Sequence, residues 1–271
     1  MSSNAALALE NISVTFAARS ADTAAYTAVR DTTLVVESGE FVSVVGPTGC
    51  GKSTLLNIAA GLLTPSAGRV TVFGTPLEGL NRKAGYLFQA DALMPWMSAL
   101  DNVAVGLIYR GTRREEAHER AREWLARVGL AAHGHRYPHQ LSGGMKKRVA
   151  LAQTLIMDPQ ILLMDEPFSA LDVQTRQLME NELLDLWSAD RKSVVFITHD
   201  LEEAISLSDR VVVLSAGPGT HPIGEYPIDL PRPRDVAEIR LTPRFVELHR
   251  EIWHRMKDEV MKGYVQSQKV P

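Results

Sequence analysis

The sequence predicts an α/β fold with an antiparallel β subdomain and an inserted α-helical subdomain, and three observations carry that prediction. Short runs rich in β-branched residues alternate with longer helical ones, the pattern of a sheet joined by crossover helices. Between Gln89 and Asp158 strand signals nearly vanish and helical spacing takes over. The part through Val72 carries β runs such as TTLVVE, the sign of an antiparallel sheet laid against the core.

In chain order, FVSVVG (residues 41–46) reads as a buried strand and STLLNIAAGLL after it as a helix. The helical insertion contains REEAHERAREWLARVGL, with Ala117, Ala121, Trp124, Leu125 and Val128 at helical spacing. ILLMD, SVVFITHD and RVVVLSAG supply three further strands, apolar enough to be buried on both faces. Past Gly217 the chain turns Pro-rich and reads as an irregular extension. A last helix follows Pro243, with Phe245, Leu248, Ile252 and Met256 near one face.

Composition narrows the class. With 45% hydrophobic and 23% charged residues the chain has the makeup of an ordinary soluble domain. Its net charge of −3 gives no electrostatic reason to expect nucleic acid as a partner. A single cysteine, Cys50, excludes an internal disulfide and suits a reducing cytoplasm. The N-terminus does not read as a secretory signal, and no apolar run reaches the roughly 18 residues of a membrane span. Any membrane role is therefore expected to pass through a partner.

Gly46-Pro47-Thr48-Gly49-Cys50-Gly51-Lys52-Ser53 fits the phosphate-binding pattern G-x-x-x-x-G-K-[ST], between a strand and a helix as the mechanism requires. Glycines let the backbone wrap close to phosphate at a helix N-terminus, where anions are favoured. Lys52 reaches the β- and γ-phosphates, the Ser53 hydroxyl ligates Mg²⁺, and Thr54 is an extra phosphate donor. The loop alone does not separate ATPase, GTPase and kinase. Asp165 and Glu166 end an apolar strand, where ligands of open α/β sheets bind. Asp165 fits the Mg²⁺-holding acid, which leaves Glu166 to orient or deprotonate water. His133, His135 and His139 crowd together but read as a solvated connector, with no cysteine or acid at metal-site spacing.

Leu141-Ser142-Gly143-Gly144-Met145 then closely resembles the LSGGQ signature of ATP-binding cassettes, with Met145 in place of glutamine. The resemblance runs from about Leu7 to Gly217, with the elements in cassette order. It implies a P-loop NTPase, RecA-like core over residues 1–217, a helical subdomain at about 90–158 and a C-terminal extension at 218–271. It also implies that Ser142, Gly143 and Gly144 bind the γ-phosphate held by a second subunit. Gln89 matches the glutamine that senses Mg²⁺ and the attacking water, Asp172 the loop that communicates across the dimer, and His199 the switch histidine at the γ-phosphate. Phe16 lies where cassettes place an aromatic on adenine, with Tyr26 as its rival.

LSGGM followed by Lys-Lys-Arg, together with FQADALMPWMSALDNV, YPHQLSGG and PIDLPRPRD, looks like the nitrate, sulfonate and taurine branch of importer cassettes. The resemblance thus implies a homodimer hydrolysing ATP with Mg²⁺, peripheral on the cytoplasmic face of the cell membrane. It would work beneath a separate permease and, indirectly, a solute-binding protein. A cassette ATPase of repair or translation would carry a coiled coil, a zinc module or a tandem cassette. A switch GTPase would carry N-K-x-D. The row Leu93, Met94, Pro95, Trp96 and Met97 reads either as core or as a surface that receives the permease.

Overall fold

The computed structural model describes residues 4–17, 25–90 and 92–267. The first three residues of the N-terminal stretch, and Asp91 after Gln89, lie outside the described residues. Two sheets organise the chain. β1 (Ala5–Phe16) pairs antiparallel with β2 (Tyr26–Glu37) and, on its other side, with β4 (Ala67–Val72), which carries the short β5 (Thr75–Pro76). The expected antiparallel sheet is therefore present. One face is buried through alternating residues such as Leu7, Leu9 and Val70.

The main sheet has six strands in the order β10-β9-β3-β8-β7-β6: β3 (Phe41–Val45), β6 (Ala84–Leu87), β7 (Ile161–Asp165), β8 (Ser193–Ile197), β9 (Arg210–Leu214) and β10 (Pro222–Pro227). All neighbours are parallel except the β9–β10 pair. Strands β3 and β8 are buried at every position, which is why they read as unbroken apolar runs instead of alternating ones. Helices α1 (Lys52–Ala59), α5 (Val173–Ala189) and α6 (Leu201–Leu207) cover the sheet.

The helical segment consists of α2 (Ala99–Tyr109), α3 (Arg114–Arg127) and α4 (Gly143–Leu155), which share an apolar cluster around Val103, Ala121, Leu125 and Val149. Met145 joins this cluster as a partly buried side chain, so the residue that departs from the signature packs instead of hydrogen-bonding.

The structure corrects two readings. The Pro-rich stretch after Gly217 is not wholly irregular, because it adds β10 to the sheet edge. Both its prolines sit at the strand's ends, where a missing N–H removes little from a ladder. The four residues of β6 also went unread as a strand; Gly85 and a half-polar neighbourhood hide it. The last helices are α7 (Val236–Ile239) and α8 (Pro243–Ser267). As expected, α8 buries Phe245, Leu248, Ile252 and Met256, here against β3, β9 and α6.

Candidate nucleotide site

The carboxyl ends of four adjacent parallel strands converge on one place. The phosphate loop leaves β3, Gln89 follows β6, Asp165 and Glu166 end β7, and His199 follows β8. An open parallel sheet binds ligands on that edge because its crossovers leave a crevice there. An open cavity of about 480 Å³ occupies it, lined by Thr48, Gly49, Gly51, Lys52, Ser53, Thr54, Gln89, Glu166 and His199.

Gly49 and Gly51 have φ of 76° and 112°, left-handed conformations that a side chain would strain, so the loop can turn tightly into α1. Lys52 is buried, and its Nζ donates to the Gly46 carbonyl at 2.9 Å and the Pro47 carbonyl at 3.0 Å. Two of the ammonium's three protons hold the loop's shape, and the third is left for a phosphate oxygen.

Ser53 Oγ donates to Asp165 Oδ1 at 3.0 Å, joining the two residues expected to hold Mg²⁺. Burial pushes the Asp165 carboxyl above its usual range, and the neighbouring Glu166 charge adds to this while the Ser53 bond opposes it. A hydroxyl and a desolvated carboxylate form a hard-oxygen pair that fits Mg²⁺. Tyr86, which sequence reasoning passed over, places its hydroxyl 3.1 Å from Asn57 Oδ1 and 3.5 Å from Asp165 Oδ2.

Glu166 is the meeting point of the remaining polar groups. His199 Nδ1 lies 2.9 Å from its Oε2, and Gln89 Nε2 donates to the same oxygen at 3.4 Å. The Glu166 backbone has φ 43°, a conformation unusual for a residue with a side chain and one that concentrates at functional sites. A carboxylate held between a histidine and an amide, beside a phosphate loop, is placed to orient water.

Other expected residues fall elsewhere. The Cys50 side chain does not enter the cavity: the thiol is 1% exposed and packs in the core beneath the loop, where burial raises its pKa. Of the loop residues expected to meet phosphate, Cys50 therefore contributes no side chain to the cavity, and the fold alone shields its thiol. Gly46 and Pro47 are buried and shape the loop through the carbonyls that hold Lys52. Phe16 and Tyr26 are direct cross-strand partners, 43% and 46% exposed, so both rivals for adenine stand together.

Ser142 caps α4 by accepting from the Met145 N–H at 3.3 Å, and Asp172 caps α5 by accepting from the Thr175 N–H at 3.0 Å. The two caps adjoin, since a Cβ on Gly144 would meet the Thr175 methyl at 2.7 Å. None of Ser142, Gly143, Gly144 or Asp172 lines the cavity of their own chain. Two linkages escaped the sequence reading. Buried Lys147 donates to the Gln89 carbonyl at 2.6 Å, tying α4 to the glutamine segment. Arg176 donates to the Leu171 carbonyl and Asp200, joining the segments that hold Asp172 and His199. Lys147 belongs to the Lys-Lys-Arg run after LSGGM and Arg176 to no motif, and in both cases only the fold reveals the partner.

The mainly parallel sheet, the phosphate loop and the carboxylate pair define a nucleotide hydrolase of the phosphate-loop class. The match is to a particular family: the ABC transporter model covers residues 29–169, and the chain belongs to that family. It is 48% identical to an uncharacterized ABC transporter ATP-binding protein of Methanocaldococcus jannaschii, over 85% of this chain and 84% of that one. To the taurine import ATP-binding protein TauB of Burkholderia pseudomallei it is 43% identical, over 90% of this chain and 94% of the relative. Among solved structures it is similar to a dimeric ATP-binding cassette in a post-hydrolysis state bound to ADP and Pi. That likeness has a TM-score of 0.73 and 33% identity, covering 83% of this chain and 99% of the other. The chain is thus the ATP-binding, ATP-hydrolysing subunit of a transporter.

Proposed function

We propose that this subunit powers the import of a small anionic or zwitterionic solute, of the taurine, sulfonate or nitrate kind, through a separate membrane permease. The observation that carries the catalytic part is the convergence of Gln89 and His199 on one oxygen of Glu166 beside the phosphate loop. In this reading Glu166 orients or deprotonates the attacking water, His199 contacts the γ-phosphate, and Gln89 reports on the site. Gly46 to Thr54 cradle the phosphates, and Phe16 or Tyr26 stacks on adenine. Mg²⁺, held by Ser53, Asp165 and Gln89, would neutralise phosphate charge when bound.

Two copies act head to tail, with Ser142, Gly143, Gly144 and Asp172 of each serving the nucleotide of the other. The dimeric cassette among the structural neighbours supports this arrangement. The cargo class rests on the taurine-import relatives and on the LSGGM segment. An ATPase unit at 1–217, with a helical part at about 90–158, is the division we favour, with 218–271 as an extension. Among the described residues no helix is long and apolar enough to cross a membrane. Attachment to the inner face of the membrane therefore falls to the permease, with a solute-binding protein acting on its far side.

The docking surface we assign is the segment after Gln89. Buried Asn102 bonds the Met94 N–H and the carbonyls of Met94, Met97 and Ser98, pinning this loop so that Trp96 stands 73% exposed. Exposure favours the partner-surface reading over the core one, since a core tryptophan would be covered. Proteoliposomes carrying permease and subunit should accumulate taurine or an alkanesulfonate when ATP is supplied. Trp96→Ala should abolish that uptake while leaving the melting temperature of the isolated subunit within roughly a degree of the parent. A large drop in melting temperature, or undiminished transport by the variant, would contradict the assignment.

A further inference from the structure

The chain from the end of β9 onward belongs to no catalytic motif, yet it closes on the back of the phosphate loop. Leu214 packs so tightly against Gly46 that a Cβ there would fall 3.1 Å from the Leu214 Cβ. The Thr220 hydroxyl donates to the Cys50 carbonyl, and the Thr220 carbonyl is itself held by the Arg30 N–H at 3.0 Å and the Thr32 hydroxyl at 2.8 Å. Helix α8 then runs over this layer, its apolar face in one cluster with Val45, the residue that leads into the loop.

Two contacts near the far end of α8 bear on the loop, one through the turn after β9 and one directly. Glu259 Oε2 accepts from the Ala216 N–H at 2.8 Å, fixing the turn whose Gly217 lies against the Cys50 backbone. Gly263 passes directly over Pro47: a Cβ added to it would stand 3.0 Å from the Pro47 Cβ, closer than side-chain carbons usually approach. Pro47 is no bystander, because its carbonyl and that of Gly46 hold the Lys52 ammonium. A push on α8 therefore passes through Pro47 to the lysine that meets phosphate.

We propose that α8 braces the phosphate loop, with Glu259 and Gly263 as positioning residues that set the affinity for ATP. The physical reason is preorganisation: N–H groups already converged on an anion bind it more tightly than a loop that must be ordered at the moment of binding. The brace also gives the cell a handle, since whatever lifts α8 weakens nucleotide binding in that subunit. The proposal rests on residues 46–54 being the ATP phosphate site.

The test uses the full-length chain with Gly263→Leu, Glu259→Ala and Glu259→Gln, the last keeping an acceptor oxygen for Ala216. Affinity is read by direct titration with a trinitrophenyl-ATP probe and by KM for ATP. Gly263→Leu and Glu259→Ala should each raise KM roughly three- to tenfold, the share of one hydrogen bond or one displaced loop contact. Turnover at saturating ATP should stay within about twofold, and Glu259→Gln should restore most of the affinity. KM unchanged in both disruptive variants would overturn the brace, as would a fall in turnover with KM untouched. If Gly263→Leu does not fold, the Glu259 pair decides alone. Lys52→Ala separates the two ideas: loss of probe binding there with no effect at α8 removes only the brace, whereas retained binding removes the phosphate site and the brace together.

Discussion

At Cys50 the backbone and the side chain of one residue serve opposite ends. Its carbonyl is tied to Thr220 and its thiol fills the core under the loop, while the cavity is lined by its neighbours Gly49 and Gly51. The consequence is chemical inertness. Burial raises the thiol's pKa, and thiolate is the form that reacts. Without nucleotide, the native protein should be alkylated at least roughly tenfold more slowly than the unfolded chain. Rates measured with iodoacetamide in buffer and in denaturant check this. Rapid labelling of native protein that ATP suppresses would instead put the thiol in the nucleotide cavity. The motif reveals which residues make the loop, since each glycine and Lys52 answers to a stated need. It is silent on where a variable position points, and only the fold shows the Cys50 thiol turned into the core.

Between elements, the contact of α5 with α6 and α7 holds a buried ionic cluster close to His199. Glu180 on α5 is fully buried; Arg240, at the end of α7, donates to its Oε2 at 3.0 Å, while Oε1 finds no hydrogen-bond partner among the described residues. Arg176 of the same helix and Glu203 and Asp200 from α6 and its cap complete the surroundings, with Arg176 bridging to Asp200 at 3.2 Å. Burial raises the Glu180 pKa to about 7 from an ordinary 4.5, with Glu203 and Asp200 adding and Arg240 opposing. The folded state then holds a proton that the unfolded chain releases at lower pH. Its stabilising contribution is complete below the unfolded value and is lost as pH rises through about 7.

Glu180→Gln cannot ionise, so it escapes that loss. Relative to the parent it should gain about 1–3 kcal/mol between about pH 5.5 and about pH 8. Melting curves of both proteins at the two pH values measure it, and an equal difference at both would refute the assignment. This cluster was invisible in the sequence because its three segments, around residues 176–180, 200–203 and 240, meet only in the fold. The strands β3, β7, β8 and β9 were legible, since unbroken β-branched runs have few other uses. β6 and β10 were not: one is four residues long and the other begins and ends on proline, and both owe their strand character to the neighbours they pair with.

Across the whole molecule, the nucleotide cavity of one chain contains no residue of the LSGGM segment. Ser142 and Gly144 instead sit at the start of α4 beside Asp172, on a surface separate from the loop. A signature placed away from its own cavity makes sense when a second copy supplies the nucleotide. Lys147 and Arg176 tie α4 and α5 to the segments that carry Gln89 and His199. Turnover, in this account, is assembly of two chains around ATP followed by release once Glu166 has directed water at the γ-phosphate.

Glu166→Gln tests that account most directly, because it keeps the side chain's shape and removes its charge. The purified variant, mixed with Mg-ATP, is followed by analytical ultracentrifugation and by phosphate release. The account predicts a stable dimer holding two ATP molecules and hydrolysis slowed at least about a hundredfold. Parent-like phosphate release, or a variant that binds ATP yet stays monomeric, would contradict it.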